Sequence, residues 1–382
     1  MRFIDLILKN LLRRPMRSTL TLVALATAIA SVVALLGIAQ GFTRSFADIY
    51  AAHSIDIVVS RQGSADRLSS SIDEQFVGQM EQLPGVERAA AVLLETLSLE
   101  EEGIYGIPTM GIARDSWLLE DYEFQVARSS GNDIKPEGEK SKRLGLMLGI
   151  HLAERLEVEV GGEISIFDES YRVANIFQSP STWENGSMIL PIALLQDLTD
   201  RQGQATYINV ILDAEVSALG AAKAIQAIEG LDSKLLPLAT QEFVETDTRM
   251  QLAGAMAWMT GVIALVIGTI GTLNTMLTSV MERTKEIGIL RAIGWTKKRI
   301  IRMILLESCA MSLVAGVVGT LLAMLLTWAL SQAPAAKGIL SPSIGTSVIL
   351  QGFLLALGIG LLGAILPAWR AARMMPTEAF RE

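Results

Sequence analysis

The chain has 382 residues, 51% of them hydrophobic and 19% charged, and a formal net charge of −8. A mean hydropathy of +0.41 is too apolar for an ordinary soluble protein, yet the charges are too many for a chain wholly buried in lipid. The acidic balance repels nucleic acid, so no nucleic-acid partner is expected.

Residues 2–14 place Phe3, Ile4, Ile7, Leu8 and Leu11 on one helical face and Arg2, Asp5, Lys9 and Arg13 elsewhere. That pattern predicts a helix lying in the membrane interface, so residues 1–17 are read as a cytosolic, interfacial N-terminal segment. Pro15 lacks the amide hydrogen needed to continue the helix, and a bend is expected there. No charged residue then occurs from Ser18 to Thr43. The same is true from Met250 to Met281, from Ser308 to Ala336 and from Gly338 to Trp369. Each run exceeds the roughly 20 residues that an α-helix needs to cross a ~30 Å hydrocarbon core. A helix also satisfies its own backbone, as lipid demands. Four transmembrane helices are therefore predicted, at 18–43, 250–281, 308–336 and 338–369. The first apolar run is too long for a cleaved signal and shows no small-residue cleavage site before Arg44, so an uncleaved span is expected.

Charge sets the topology. Residues 1–43 carry +4, residues 44–249 carry −18 and residues 250–382 carry +6. Arg and Lys stay in short cytoplasmic loops. Both termini, the 282–307 loop and the 370–382 tail are thus expected in the cytosol. The connection around Lys337 and the large 44–249 segment are expected outside it.

That outer segment reads as a mixed α/β domain. Ile55–Ser60 is a predicted strand, Ile72–Leu83 an amphipathic helix ended by Pro84-Gly85, and Val86–Leu99 a strand. Near its far end come a strand at Tyr207–Leu212, a helix at Val216–Ile228 and a strand at Lys234–Ala239. The two separated strand–helix–strand units are expected to close on one another as one sheet. Between them, about 117–206, an inserted subdomain is expected, with a helix at Leu144–Leu156 and a hairpin through Gly161-Gly162 and Asp168. Phe42–Ala52 and Gln241–Arg249 flank the domain. They either prolong their spans as a helical stalk or serve as simple linkers, and both readings stay open.

The single cysteine, Cys309, opens the third span and reads as a small buried hydrophobe. The outer domain has no disulfide, and about 200 residues suffice for a core without one. His53 and His151 stand too far apart for zinc-ligand spacing, so no metal site is expected. No GxxxxGK[ST], HExxH, GxSxG or CxxC motif occurs, and an enzyme with its site in the outer domain is the least favoured reading. The spans carry no Asp, Glu, Lys, Arg or His in their interiors, which argues against a self-powered, ion-coupled carrier. Ala315 and Gly319, then Ala356, Gly360 and Ala364, have the spacing that lets helix backbones approach. Asn274, with Thr272 and Thr275, is expected to hydrogen-bond between helices.

The strongest local signal is the loop Glu282–Gly294, ERTKEIGILRAIG. Ile287, Leu290 and Ile293 recur at i, i+3 and i+6, and Arg283, Lys285 and Arg291 are placed to reach water or lipid phosphate. Gly294 supplies a left-handed stop, and Thr296 can cap the following helix. A short amphipathic helix at the inner membrane surface is predicted. On these grounds alone it is equally a lipid-binding element or a docking one.

Met281–Gly294 resembles the cytosolic signature of ABC transporter permeases of the MacB/FtsX type, which include the lipoprotein-releasing permeases. NLLRRPMRSTLT at 10–21, GTIGTLNTMLTSV at 268–280 and PAWRAARMMPTEAFRE at 367–382 agree, as does the order of one span, an outer domain and three spans. The resemblance implies an integral membrane α-helical protein with a large extracytoplasmic α/β domain, multi-pass in a bacterial plasma (inner) membrane. It implies a permease, not itself an enzyme, driven by a separate cytosolic ABC ATPase subunit. ATP and Mg would be bound by that partner, with no cofactor in this chain. A homodimer or pseudo-dimer is implied, with a periplasmic adaptor or outer-membrane channel as a further partner. By motif position, Glu282, Arg283, Glu286, Gly288, Arg291 and Gly294 inherit the ATPase-docking role of a coupling helix. The charge-pairing alternative for Glu282 and Glu286 is contact with Arg283 or Lys285 in their own helix. Export or extraction of a cargo is the first expectation. The alternative is a regulatory complex acting on an extracytoplasmic partner such as a cell-wall hydrolase.

Overall fold

Residues 15–63, 70–126, 145–214, 216–333 and 343–374 are described in a computed structural model. In chain order they form α1 (Pro15–Ala52), β1 (Ile57–Arg61), β2 (Ile72–Asp73), α2 (Phe76–Met80), β3 (Val86–Leu99), β4 (Ile104–Ile112), β5 (Glu123–Phe124) and β6 (Leu146–Gly149). There follow α3 (Ile150–Leu156), β7 (Glu163–Ile166), β8 (Glu169–Gln178), α4 (Thr182–Asn185), β9 (Met188–Pro191), α5 (Ile192–Leu198), β10 (Gln204–Ala205) and β11 (Tyr207–Leu212). Then come α6 (Ala218–Glu229), β12 (Leu235–Ala239), α7 (Thr240–Glu245), α8 (Thr248–Glu282), α9 (Thr284–Ala292), α10 (Lys297–Ser331) and α11 (Thr346–Arg373). The chain divides into two units, Met1–Gln40 with Ala253–Leu330 and Pro342–Glu382, and Gly41–Leu252 with Ser331–Ser341.

The first unit is helical. Among the described residues four helices, α1, α8, α10 and α11, are long and apolar enough to cross a membrane, the number that the charge-free runs predict. The interfacial helix expected at 2–14, the connection around Lys337 and the tail beyond Met374 lie outside the described residues. Leu25, Ala26, Ile29, Ala30 and Val33 of α1 pack with Ala315 and Ala323 of α10 and with Val348, Ala356 and Ile359 of α11. Small residues set how closely these helices pack. A Cβ on Gly319 would stand 2.6 Å from the Ala26 carbonyl oxygen, and one on Gly363 would stand 2.6 Å from Thr272 Cβ. Thr275 bonds across helices, its hydroxyl 3.2 Å from that of Thr21. Asn274 departs from expectation: it lies on the exposed side of α8. Cys309 is half-buried rather than buried.

The second unit is built on a sheet of order β12–β1–β11–β3–β4–β9–β6–β8–β5, with β7 paired to β8. The strands at the two ends of the segment do close on one another: β1 pairs antiparallel with both β11 and β12. The strands of 117–206 join the same sheet, because β9 runs parallel to β4 from Thr109↔Met188 to Ile112↔Pro191. Two expected elements are redrawn. Residues 72–83 split into β2 and a short α2, since Ile72 is buried and pairs with Ala205. Residues 146–149, within the expected helix 144–156, form β6 beside β8 and β9. The β7–β8 hairpin turns at Phe167 and Asp168, with φ of 50° and 63°, the two left-handed residues of a type I′ turn.

Strand alternation divides the core. On β3, Ala90, Val92 and Leu94 face one cluster, which includes Phe46, Ile49 and Tyr50 of α1 and Phe243 and Val244 of α7. The alternate residues face two other clusters, one under α2 and α6 and one under α3 and α5. The Phe42–Ala52 alternative thus resolves as helix, docked on the sheet. Gln241–Arg249 does not continue α8 as one helix. The chain breaks after α7, and buried Asp247 caps α8 by accepting from the amides of Arg249 and Met250 at 2.9 and 3.3 Å.

Candidate functional site

The signature loop folds into α9, and its inner face is fixed by two kinds of contact. Ile287 is buried and Leu290 half-buried against Val280 of α8, Ile300, Met303 and Ile304 of α10, and Ala364, Ala368 and Ala371 of α11. Arg283, at the N-cap, donates through Nη1 to both oxygens of Glu307 on α10, at 2.9 and 3.1 Å. Glu307 is only 6% exposed, so this is a largely desolvated ion pair. Glu286 lies 4.0 Å from the same guanidinium. A cavity of about 30 Å³, enough for a water molecule, lies beside the pair between Ser279, Ile287 and Met303.

The helix ends as its glycine predicts. Gly294 has φ +100°, its amide donates to the Arg291 carbonyl at 3.1 Å, and the Trp295 amide donates to the Leu290 carbonyl at 3.0 Å. This is the Schellman closure. Thr296 then caps α10, its hydroxyl accepting from the Arg299 amide at 3.4 Å.

The six expected docking residues do not share one surface. Glu282 and Glu286 are exposed on the outer face and Gly294 is exposed at the end. Gly288 is buried. Arg283 and Arg291 turn back to the protein rather than out to water, Arg283 to Glu307 and Arg291 to the Trp295 carbonyl at 3.0 Å. Spacing also misplaced Ile293, which is 74% exposed. At 3.6 residues per turn it lies about 120° around the helix from Ile287. Ile289, which sequence reasoning did not single out, is 45% exposed on the outer side. The outer face is therefore Glu282, Lys285, Glu286, Ile289 and Ile293: two apolar side chains rimmed by charge of both signs. Such a face suits a protein surface better than a bilayer, where acidic groups near anionic headgroups are repelled. Among the described residues no group of three or more His, Cys, Asp or Glu could hold a metal ion.

The sequence is similar to known proteins over most of its length. The MacB-like periplasmic core domain family matches residues 18–228, more than half of the chain, and the FtsX-like permease C-terminal family matches residues 258–376. The macrolide export ATP-binding/permease protein MacB of Haemophilus ducreyi is 27% identical over 95% of this chain and 53% of its own length. The ABC transporter permease YknZ of Bacillus subtilis is 22% identical over 99% of this chain and 98% of its own. An ABC transporter permease of Methanocaldococcus jannaschii is 28% identical over 67% of each chain. The chain spans about half the length of the MacB proteins it matches. The periplasmic region of MacB from Actinobacillus actinomycetemcomitans superposes with a TM-score of 0.39 at 12% identity, over 52% of this chain and 97% of that one.

Proposed function

Given that the chain belongs to the MacB/FtsX-type family of ABC transporter permeases, we propose that it turns ATP hydrolysis on a separate ATPase subunit into movement of its outer domain. The observation that carries this reading is α9. Its inner face is locked to α8, α10 and α11, while Ile289 and Ile293 stand exposed among Glu282, Lys285 and Glu286. A rigid body pressed at that face moves the helices it is clamped to. In this reading α9 and both termini lie in the cytosol, residues 44–249 lie on the far side, and α1 and α8 carry the displacement between them. ATP and Mg stay with the ATPase, and this chain contributes no catalytic group.

Two copies of the chain pair in the membrane, and a periplasmic adaptor or outer-membrane channel extends the assembly where the envelope has one. The cargo is exported or extracted on the far side; the relatives' names, a macrolide exporter and an ABC transporter permease, favour this over signalling to a hydrolase. Reconstitution with the cognate ATPase tests it. Ile289→Asp with Ile293→Asp should abolish cargo-stimulated ATP hydrolysis while the permease remains inserted and folded. Full coupling in that variant overturns the assignment.

A further inference from the structure

The second unit holds a buried ionisable cluster that the coupling reading does not use. His53 is the C-cap of α1. The Ser54 amide donates to the Ala51 carbonyl at 3.3 Å and the Ile55 amide to the Tyr50 carbonyl at 3.0 Å, with Ser54 itself left-handed at φ +52°. This closure fixes the His53 backbone and leaves its ring 3% exposed, edge-on to Tyr122.

Both ring nitrogens face carboxylates. Nδ1 is 2.9 Å from Asp121 Oδ2, and Nε2 is 3.6 Å from Glu184 Oε1, a charge contact. Neutral imidazole has one N–H and one lone pair, so one nitrogen would present its lone pair to an anion. Imidazolium carries an N–H on both nitrogens, one hydrogen-bonded to Asp121 and the other in charge contact with Glu184. Glu184, on α4, is 1% exposed; it accepts from the Tyr122 hydroxyl at 2.6 Å and from the Ser179 hydroxyl. Among the described residues His53 is the base that lies beside it, and a buried carboxylate without a compensating cation is costly.

The groups around the ring agree in sign. Asp121 and Tyr122 come from the segment before β5 and Glu184 from α4, with Tyr207 of β11 beyond them beside Glu184, and none is a cation. The C-terminal end of α1 adds its own negative dipole. Burial lowers the His53 pKa, but Glu184 and then Asp121 outweigh it and hold the group above its ordinary value. Burial, with Glu184, also pushes the Tyr122 and Tyr207 phenols upward, so both stay neutral and Tyr122 keeps its hydrogen for Glu184. The cluster is strapped to α1 at a second point: the Ser181 hydroxyl donates to the Ser45 carbonyl at 2.8 Å, and the Trp183 amide donates to Ser45 Oγ at 3.1 Å.

We propose that the His53 imidazolium is a latch that fastens the last turns of α1 to α4 and the β5 segment, and that loss of its proton as pH rises releases them. The latch exists whether or not an ATPase drives α9, so its test needs no ATPase and leaves the coupling reading untouched. The chain has two histidines, so His151→Gln leaves His53 alone for ¹⁵N-imidazole NMR of the full chain in nanodiscs. Hydrogen exchange of residues 45–54, corrected for intrinsic chemistry, is read across the same titration. Both nitrogens should be protonated through pH 6.5, with a midpoint above the ordinary 6.5. Protection of residues 45–54 should fall by about tenfold or more through that midpoint. Glu184→Gln and Asp121→Asn should each lower the midpoint by about one unit and carry the protection step with it. Asp121 is 41% exposed, so its variant carries the test even where Glu184→Gln does not fold. A midpoint at or below 6.5, or protection that ignores the titration, overturns the proposal.

Discussion

Nη1 of Arg283 donates to both carboxylate oxygens of Glu307, 24 residues away on another helix, at 2.9 and 3.1 Å. The pair joins the N-cap of α9 to α10, so it ties the helix of the proposed docking face to one of the four long apolar helices. Removing one partner takes the guanidinium away from a carboxylate, or the carboxylate away from a guanidinium, in a nearly dry place. Arg283→Met should therefore destabilise the helical unit by about 3–5 kcal/mol, and Arg283→Met with Glu307→Met should recover most of the loss. Unfolding of the detergent-solubilised protein checks both variants. Equal losses in the single and double variants would mean that the pair contributes little.

The outer face of α9 makes the opposite prediction for stability. Ile293 is 74% exposed, so Ile293→Asp should shift stability by no more than about 0.5 kcal/mol while weakening ATPase binding. Gly294→Ala should cost about 1 kcal/mol, because φ +100° is open to glycine and strained for any side chain. Measured together, the two variants separate docking from folding.

Glycines in the spans fall into two classes. Gly319→Ala places a methyl against the Ala26 carbonyl oxygen and should cost about 1–3 kcal/mol. Gly271→Ala meets nothing within 4 Å and should be neutral or stabilising by up to about 1 kcal/mol, from helix propensity. Thermal unfolding of both variants in the same detergent decides.

The latch gives a pH dependence with a definite sign. The folded His53 pKa lies above the ordinary 6.5, so its contribution to stability is complete below pH 6.5. That contribution is lost as pH rises through the raised folded value. Wild type should exceed His53→Gln in unfolding midpoint most clearly at pH 6, and the two should converge in alkali. A difference that grows with pH contradicts the assignment.

Much of this was legible in the sequence. Runs without charge mark the four helices, because lipid tolerates nothing else, and Gly294 with Thr296 marks how α9 ends and α10 begins. The faces of α9 were harder. An i, i+3, i+6 series drifts around a helix, so Ile293 was placed inward although it points out, while Arg283 and Arg291 were given to solvent although each finds a partner in the protein. The β4–β9 pairing joins residues nearly 80 positions apart in parallel, and no local pattern announces such a contact. The same holds for the His53 cluster. Its members come from positions 45–53, 121–122 and 179–184, each an ordinary polar residue in its own neighbourhood, and only the folded sheet brings them together. The sequence signal available was weak: a lone histidine just past a long apolar run.

The account rests on α9 meeting an ATPase in the cytosol, and one cysteine reports on that directly. In a Cys309→Ser background, Ile293→Cys should resist a membrane-impermeant maleimide applied to intact cells, and should cross-link to an ABC ATPase once the cytosolic side is opened. Labelling of Ile293→Cys from outside the intact cell, with no ATPase adduct from within, would contradict it.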